Sequence, residues 1–526
     1  MAEGVISRFR RFSGLDKAQM EHAENVVSVE SNAASDAVLV GGERVEVTEE
    51  DDIRIRKKTD KNILTILVWV YFLQILDKSV LGYGSIFGLQ KDVGLVGNQY
   101  SLIGSIAPIA QLIWQPFSSI LIVKVPHRIL MPCLVLGWGI AQTAMAGCRT
   151  YHSLLAARFF LGLFEAGCLP LFSVITNQWY RRAEQPIRVA AWYSTNGAAT
   201  IVAAFLSYGL AYIPSEHLRP WQIIFLFVGL LTIISAPLVY WRLSSTIPTA
   251  RFLTPHERLQ AIERLRANQT GIGSSKFEWS HIYELLLEPK TYLWISMALL
   301  VNVGASVTNT FGPLILSTLP YPPKLTSLLT TPFGFLQLAI ILLSSLLATR
   351  TRLKSPILIL LTLPVLTGLS LLLTLPRTPQ NRGPLLLAYY LLSFLFGSQP
   401  LIISWLIANT GGTTKKSALT SLYNAASAAG NIIGPLLYTA DDAPGYKPGL
   451  QATLGMFMGM AVVVVAQVGV LWVLNRRQEA RRVAAGKGAV VRDLSMERRY
   501  VGTGDGVGEH AFEGTDGGNE EFVYVY

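Results

Sequence analysis

The chain has 526 residues, of which 51% are hydrophobic and only 15% charged, and its formal net charge is +10. Because an average soluble domain carries roughly 25% charged residues, this composition favours a membrane protein. The basic residues fall in short clusters between apolar runs and form no single patch, which argues against a nucleic-acid partner. The cysteines, Cys133, Cys148 and Cys168, suggest neither a disulfide framework nor a metal site.

Both ends of the chain have the composition of polar terminal tails. Residues 1–60 are polar and mixed in charge, and we expect a disordered cytoplasmic segment there. No apolar segment typical of a secretory signal peptide precedes Asn62, so the first membrane span is expected to act as the targeting signal. Residues 476–526 are rich in Gly and Glu and are expected to form a cytoplasmic, largely disordered tail.

Twelve apolar runs lie between the tails, each long enough to cross a bilayer core about 30 Å thick. The first six lie at roughly 62–84, 99–122, 129–147, 153–176, 189–213 and 221–241. The second six lie at roughly 291–315, 326–348, 355–375, 384–408, 417–438 and 451–474. We therefore predict an all-α membrane protein with 12 transmembrane helices in two six-helix bundles, at 61–242 and 291–475.

The connections between these runs alternate in charge. Five basic residues precede the first run, from Arg54 to Lys61, whereas the next connection offers only Lys91 beside Asp92. The later basic clusters all fall on the first side: Lys124 and Arg128; Arg181 and Arg182; Arg350, Arg352 and Lys354; Lys415 and Lys416; Arg476, Arg477, Arg481 and Arg482. The positive-inside rule then places both termini in the cytoplasm of a multi-pass membrane protein.

The longest connection, residues 243–290, is predicted to be a cytoplasmic linker with amphipathic helices. Thr254-Pro255-His256-Glu257 has the pattern of a capping box, with proline at the first helical position. Asn268 begins a glycosylation sequon, but it lies on the cytoplasmic side of this topology and is expected to be unmodified.

The two halves also contain a repeated stretch. Residues 118–124, followed by Arg128, match residues 344–350, followed by Lys354, at a constant offset of 226 positions. Each stretch ends the second helix of its half, which indicates a duplicated six-helix unit of the kind found in many transporters.

Four charged residues lie inside predicted helices, all in the first half: Asp77 and Lys78 in the first helix, Arg158 and Glu165 in the fourth. A charge at the centre of a membrane helix costs roughly 2.5–3.5 kcal/mol, so each must face a partner or water. Arg158 and Glu165 are two turns apart, and adjacent residues point about 100° apart, so neither pair neutralises itself. We expect the two pairs to meet across a central cavity.

Two interpretations of these charges stay open. In one, they form a static ion network that fixes helix packing or a gate. In the other, Lys78 and Arg158 contact a substrate anion, and Asp77 and Glu165 are carboxyl groups for proton coupling. An anion that competes for Arg158 would then change the proton affinity of Glu165, which is sufficient for coupling.

The second half contributes amides instead of charges. Asn302 and Asn309 share a face of the seventh helix, Asn424 and Asn431 share a face of the eleventh, and Gln399 stands alone in the tenth. We predict substrate contacts for Asn302, Asn309, Gln399 and Asn424, with interhelical hydrogen bonding as the alternative.

The sequence lacks the signals of an ATPase, a metalloprotein or an enzyme. Residues 412–417 do not have the spacing of a phosphate-binding loop, and the seven histidines show no metal-ligand spacing. We expect no catalytic residues, no metal and no cofactor, with protons as the coupling ion.

The fourth-helix motif, Arg158-Phe159 with Leu161-Gly162, Glu165-Ala166-Gly167 and Pro170, resembles the signature of the anion:cation symporter family of the major facilitator superfamily. Further matches to the fungal allantoate permease-like group are Leu76-Asp77-Lys78, Gly97-Asn98-Gln99-Tyr100-Ser101, Gln178-Trp179-Tyr180 and Gly430-Asn431-Ile432-Ile433-Gly434-Pro435. The resemblance covers about residues 60–480.

This resemblance implies proton-coupled uptake of a small organic anion, such as a carboxylate, ureido acid or vitamin, by a monomer in the plasma membrane. Arg158 and Glu165 match the family pattern directly, whereas relatives often have Arg at the position of Lys78. The acidic residue of the superfamily's cytoplasmic loop is missing, because the loop reads Ser119, Val123, Lys124, Pro126 and Arg128. An exporter of a secondary metabolite and a non-transporting nutrient sensor remain the alternative functions.

Overall fold

The structure is a computed structural model that describes residues 45–86, 88–96, 99–211, 213, 215, 217–266, 268, 277–317, 323–376, 378–437, 447–488, 515–519 and 521–526. Every regular element in these ranges is a helix. The architecture therefore agrees with the all-α prediction.

The described residues of the first half form ten α-helices. They are α1 (Glu49–Thr59), α2 (Thr65–Ile86), α3 (Leu89–Val93), α4 (Gln99–Lys124), α5 (His127–Met145), α6 (Tyr151–Glu165), α7 (Cys168–Trp179), α8 (Gln185–Tyr193), α9 (Thr195–Ala211) and α10 (Pro220–Arg242). A π-helical turn, Asp60–Leu64, joins α1 to α2.

The described residues of the linker and the second half form nine more α-helices. They are α11 (Pro255–Arg266), α12 (Trp279–Leu287), α13 (Pro289–Ser317), α14 (Pro323–Thr351), α15 (Ser355–Thr374), α16 (Arg382–Leu391), α17 (Ser398–Ala408), α18 (Thr413–Leu436) and α19 (Lys447–Ala484). A 3-10 segment, Leu392–Gly397, joins α16 to α17.

All twelve predicted apolar runs are helical. Nine helical stretches within the described ranges are long and apolar enough to cross a membrane. The fifth, seventh and eleventh predicted runs are helical too, as α8 with α9, α13 and α18. The two bundles meet along α4 against α18 and along α8 and α9 against α14.

The linker, the residues before α2 and the end of the chain gather at one end of the bundles, which we call the linker end. The predicted capping box starts α11, where the Glu257 N–H donates to Thr254 Oγ1 over 3.3 Å. Asn268 is buried there, and its amide bonds the backbone of Tyr180 and Arg182.

The structure differs from the expected tails on both sides. Residues 49–59 form a helix because Thr48 caps it and Lys58 reaches Glu257 of the linker over 2.7 Å. At the other end α19 continues to Ala484, and residues 515–519 and 521–526 return to the linker end.

Buried charges fasten the linker to the first half. The Arg264 guanidinium is 1% exposed and lies 2.5 Å from both Asp52 of α1 and Glu184, which precedes α8. Burial alone would raise the pKa of Glu184, but the charges of Arg264, Arg188 and Arg181 outweigh burial and lower this pKa from 4.5 to about 2. Three separate segments therefore share one ion cluster.

Close helix packing depends on glycine at a few positions. A Cβ on Gly162 of α6 would lie 2.4 Å from the Ala107 carbonyl oxygen of α4. Small residues permit this approach, and the resulting van der Waals packing stabilises the association of membrane helices.

We predict that Gly162→Ala lowers stability by about 1–3 kcal/mol, because the added methyl group forces α4 and α6 apart. The thermal midpoint of the purified protein in detergent measures this. Gly455→Ala is the matched control, since nothing lies within 4 Å of its new Cβ. An equal midpoint for both variants would contradict the close approach.

We also predict that Arg264→Met lowers the free energy of unfolding by about 3–5 kcal/mol, because it removes the buried cation that lies 2.5 Å from two buried carboxylates. The exposed Arg54, whose guanidinium is 3.2 Å from Glu257, serves as control, and Arg54→Met should cost less than about 1 kcal/mol. Because the Glu184 pKa is lowered, its stabilisation is complete above pH 4.5 and is lost as pH falls towards 2. The difference in the free energy of unfolding between wild type and Arg264→Met should therefore stay constant from pH 5 to pH 8 and shrink below pH 4.5.

Candidate functional site

The predicted charges of the first and fourth helices do converge. The Lys78 ammonium nitrogen of α2 lies 3.7 Å from Glu165 Oε2 at the end of α6. Glu165 is 1% exposed, whereas the Lys78 side chain is 41% exposed. The amide of Gln111 on α4 donates to the same carboxylate oxygen over 3.0 Å. A buried acid thus faces one accessible cation and one neutral donor.

Arg158 is a second buried charge in the same bundle. It is 5% exposed and interacts electrostatically with both Glu165 and Asp77. Its Nε and Nη1 atoms have no hydrogen-bond partner among the described residues. An unpaired guanidinium nitrogen in an apolar bundle is costly, so these two donors are available to a ligand or to water.

Asp77 faces away from Lys78, its neighbour in the chain. It is fully buried and its Oδ2 lies 3.4 Å from the Thr232 hydroxyl of α10, while Oδ1 has no partner in the described part of the chain. Asp77, Arg158 and Glu165 are therefore all buried in the first bundle, and Lys78 is the partly exposed member of the four.

A break in the fourth span brings a backbone oxygen into this site. The carbonyl of Ala166, next to Glu165, is where a helix would accept the N–H of residue 170, but Pro170 has no N–H. The freed oxygen accepts two side-chain amides instead, from Gln115 of α4 over 3.1 Å and from Asn424 of α18 over 3.0 Å. Because α18 belongs to the second half, Asn424 connects the two bundles beside Glu165.

The other predicted amides have different surroundings. The Asn302 amide on α13 bonds Ser427 Oγ over 2.9 Å and its own-helix Ala298 carbonyl over 2.8 Å, with Gln399 Oε1 at 3.5 Å. Asn302 and Gln399 thus join three helices within the second half. Asn309 lies farther along α13, and its side chain lies outside the described part of the protein.

Bonds between the halves also close the linker end. The Asn177 amide of α7 donates to the Ile407 carbonyl of α17 over 3.1 Å, and Lys416 bonds the Asn177 oxygen. Ser417 Oγ donates to the Ser119 carbonyl over 2.9 Å. In this conformation the two bundles are fastened together at the linker end.

Sequence reasoning missed four participants: Gln111, Gln115, Thr232 and Ser427. Uncharged polar residues in apolar runs are common and carry little signal individually. Pro170, four residues after Ala166, was the one available clue, because a proline inside a membrane helix frees a carbonyl that must find another donor.

Known proteins agree with this fold. The family model of the Major Facilitator Superfamily matches residues 67–435. A thiamine pathway transporter of Saccharomyces cerevisiae is 30% identical over 484 residues, 91% of this chain and 88% of that protein. The allantoate permease of the same yeast is 27% identical over 470 residues, 84% of this chain and 83% of the permease.

Solved structures show the same architecture. The proton:xylose symporter XylE superposes with a TM-score of 0.58 over 77% of this chain and 95% of that chain. Their sequences are 14% identical, so this likeness concerns the fold alone.

We predict that Asn424→Ala shifts the protein towards separation of the bundles at the linker end, because it removes a hydrogen bond that crosses between them. Cross-linking of Ser119→Cys with Ser417→Cys, in a Cys133→Ser background, measures the closed population. One such bond should change the ratio of linked to unlinked chains by about fivefold. Asn302→Ala removes a bond inside the second half and should leave this ratio unchanged; equal effects of the two variants would contradict the assignment.

Proposed function

Because the chain belongs to the Major Facilitator Superfamily, we propose that it is a proton-coupled symporter that takes up a small organic anion by alternating access. The family membership makes it a membrane-embedded secondary transporter of a small molecule, and not an enzyme. Coupling, substrate class, direction and plasma-membrane location are the parts that we add.

The observation that carries this proposal is the placement of Glu165. This carboxylate is buried, is 3.7 Å from the accessible ammonium of Lys78, and interacts with a guanidinium that has two free donors. Lys78 and Arg158 supply positive charge for an anion, and Glu165 supplies a group that can gain or lose a proton.

Coupling follows from competition for the same cations. While the site is empty, Lys78 and Arg158 favour the ionised form of Glu165. An anion that engages these cations weakens their attraction to Glu165, which makes protonation of the carboxylate easier. Since linkage is reciprocal, a proton on Glu165 strengthens anion binding by the same factor. Anion and proton then cross together.

Asp77 can take part as a second carboxyl group. It interacts electrostatically with both Arg158 and Glu165. A change in the charge of Glu165 therefore changes the electrostatic environment of Asp77. In the second half, Asn302, Gln399 and Asn424 are the proposed uncharged contacts for the anion, together with Asn309.

The relatives suggest the chemical class of the substrate. The name of the allantoate permease identifies a carboxylate, and the other yeast relative is named for the thiamine pathway. A small carboxylate is therefore the first ligand to try, with ureido acids and vitamins as competitors. An anionic substrate also fits a site whose accessible charge is Lys78.

We predict that cells producing this protein accumulate labelled allantoate, or a carboxylate that competes with it, and that a proton uncoupler abolishes the accumulation. Glu165→Gln should lose accumulation yet retain exchange of internal for external substrate, because the binding cations remain. Glu479→Gln, an acid on the exposed end of α19, is the matched control and should behave as wild type. Equal accumulation with and without the uncoupler would remove proton coupling, and a Glu165→Gln variant that still concentrates substrate would remove Glu165 from this role.

A further inference from the structure

The end of the chain folds back onto the linker end. We call residues 515–526 the returning segment, with Glu520 outside the described residues. Phe522, Tyr524 and Asp516 are at most 2% exposed. Such burial requires partners for every polar group, and the segment finds them mainly in the second half.

Asp516 is the most strongly held residue of this segment. Its carboxylate pairs with Lys290 at the start of α13 and lies 3.0 Å from the Lys415 ammonium of α18. It also accepts the Gly411 N–H over 3.0 Å and the Tyr524 hydroxyl over 2.8 Å. Both lysine side chains are fully buried, so Asp516 neutralises charge that solvent does not reach.

The last residues bind through their backbone. Val525 exchanges two hydrogen bonds with the Asn409 side chain, at 2.8 and 2.9 Å, and accepts the Trp405 indole N–H over 2.9 Å. Tyr524 likewise exchanges two bonds of 2.8 Å with the Asn475 side chain of α19. Paired amide contacts of this kind fix the register of the segment against the second half.

The segment also reaches the first half. Arg182, in the connection between α7 and α8, donates to the Val523 carbonyl over 2.8 Å. Its guanidinium carbon lies 4.8 Å above the Phe522 ring centroid, within cation–π range. A segment anchored to one bundle thus holds a side chain of the other.

We propose that the returning segment is an intramolecular latch that keeps the linker end closed, and that Arg182 must leave Phe522 and Val523 before the bundles separate there. This inference rests on the alternating access of the proposed function. It adds a control element that lies outside the substrate site.

The contacts indicate where the latch opens. The second half holds the segment through Asp516, Tyr524 and Val525, whereas the first half holds it through Arg182. The weaker side separates first, so the segment stays on the second half. Removing the segment should therefore favour the open linker end.

Cross-linking of Ser119→Cys with Ser417→Cys, in the Cys133→Ser background, tests the latch without substrate or proton gradient. Deletion of residues 515–526 should lower the ratio of linked to unlinked chains by about tenfold, since a charge-assisted bond and a cation–π contact are lost. A synthetic peptide of residues 515–526, added in excess to the deletion variant, should restore linking. Loss of transport alone would concern the proposed function and not this test.

Substitutions separate the latch from general damage. Arg182→Gln should reproduce the deletion, whereas Lys487→Ala, which removes an exposed contact with Glu521 outside the bundle interface, should leave linking unchanged. If the deletion variant does not fold, Gly411→Ala replaces it, because the added Cβ would lie 2.6 Å from the Asp516 backbone nitrogen and displace the segment. A linked fraction that stays at the wild-type value in the deletion variant, or in Arg182→Gln and Gly411→Ala, overturns the proposal.

Discussion

The arrangement of the site depends on one constraint: the carboxylate of Glu165 must stay ionisable inside an apolar helix bundle. Glu165 ends α6, buried among protein atoms and 3.7 Å from the partly exposed ammonium group of Lys78. Gln111 and Lys78 compensate for its burial, and Arg158 supplies a second positive charge within the bundle. Each of these residues has a plausible structural purpose alone. Together they leave two buried nitrogens of Arg158 without a hydrogen-bond partner among the described residues.

Two further clusters of buried charges lie at the linker end. Arg264 of the linker lies between two carboxylates of the first half, and Asp516 of the returning segment lies between Lys290 and Lys415. The clusters have opposite central charges but the same effect, since each fastens a segment outside the membrane to a bundle.

Much of this arrangement could be predicted from the sequence. Apolar runs of membrane length predicted the helices, and a charge in such a run has so few acceptable environments that Asp77, Lys78, Arg158 and Glu165 had to meet. The neutral partners could not be predicted, because Gln115 or Ser427 satisfies its hydrogen bonds in many places. The returning segment was missed because its Gly and Glu content resembles a tail, although the apolar ending of residues 522–526 is unusual for one. Its partners are far away in sequence, and only tertiary contact reveals them.

The hydrogen bonds of the Ala166 carbonyl affect how the two halves can separate. Its two donors belong to different halves, Gln115 to the first and Asn424 to the second. When the halves separate, Gln115 can keep its hydrogen bond. The Ala166 oxygen then retains one donor in an apolar environment that supplies no other. Separation of the halves at this point would break one hydrogen bond and would not leave a bare acceptor. Pro170, which interrupts the fourth span, thereby gives the two bundles a shared acceptor that keeps a partner in its own half.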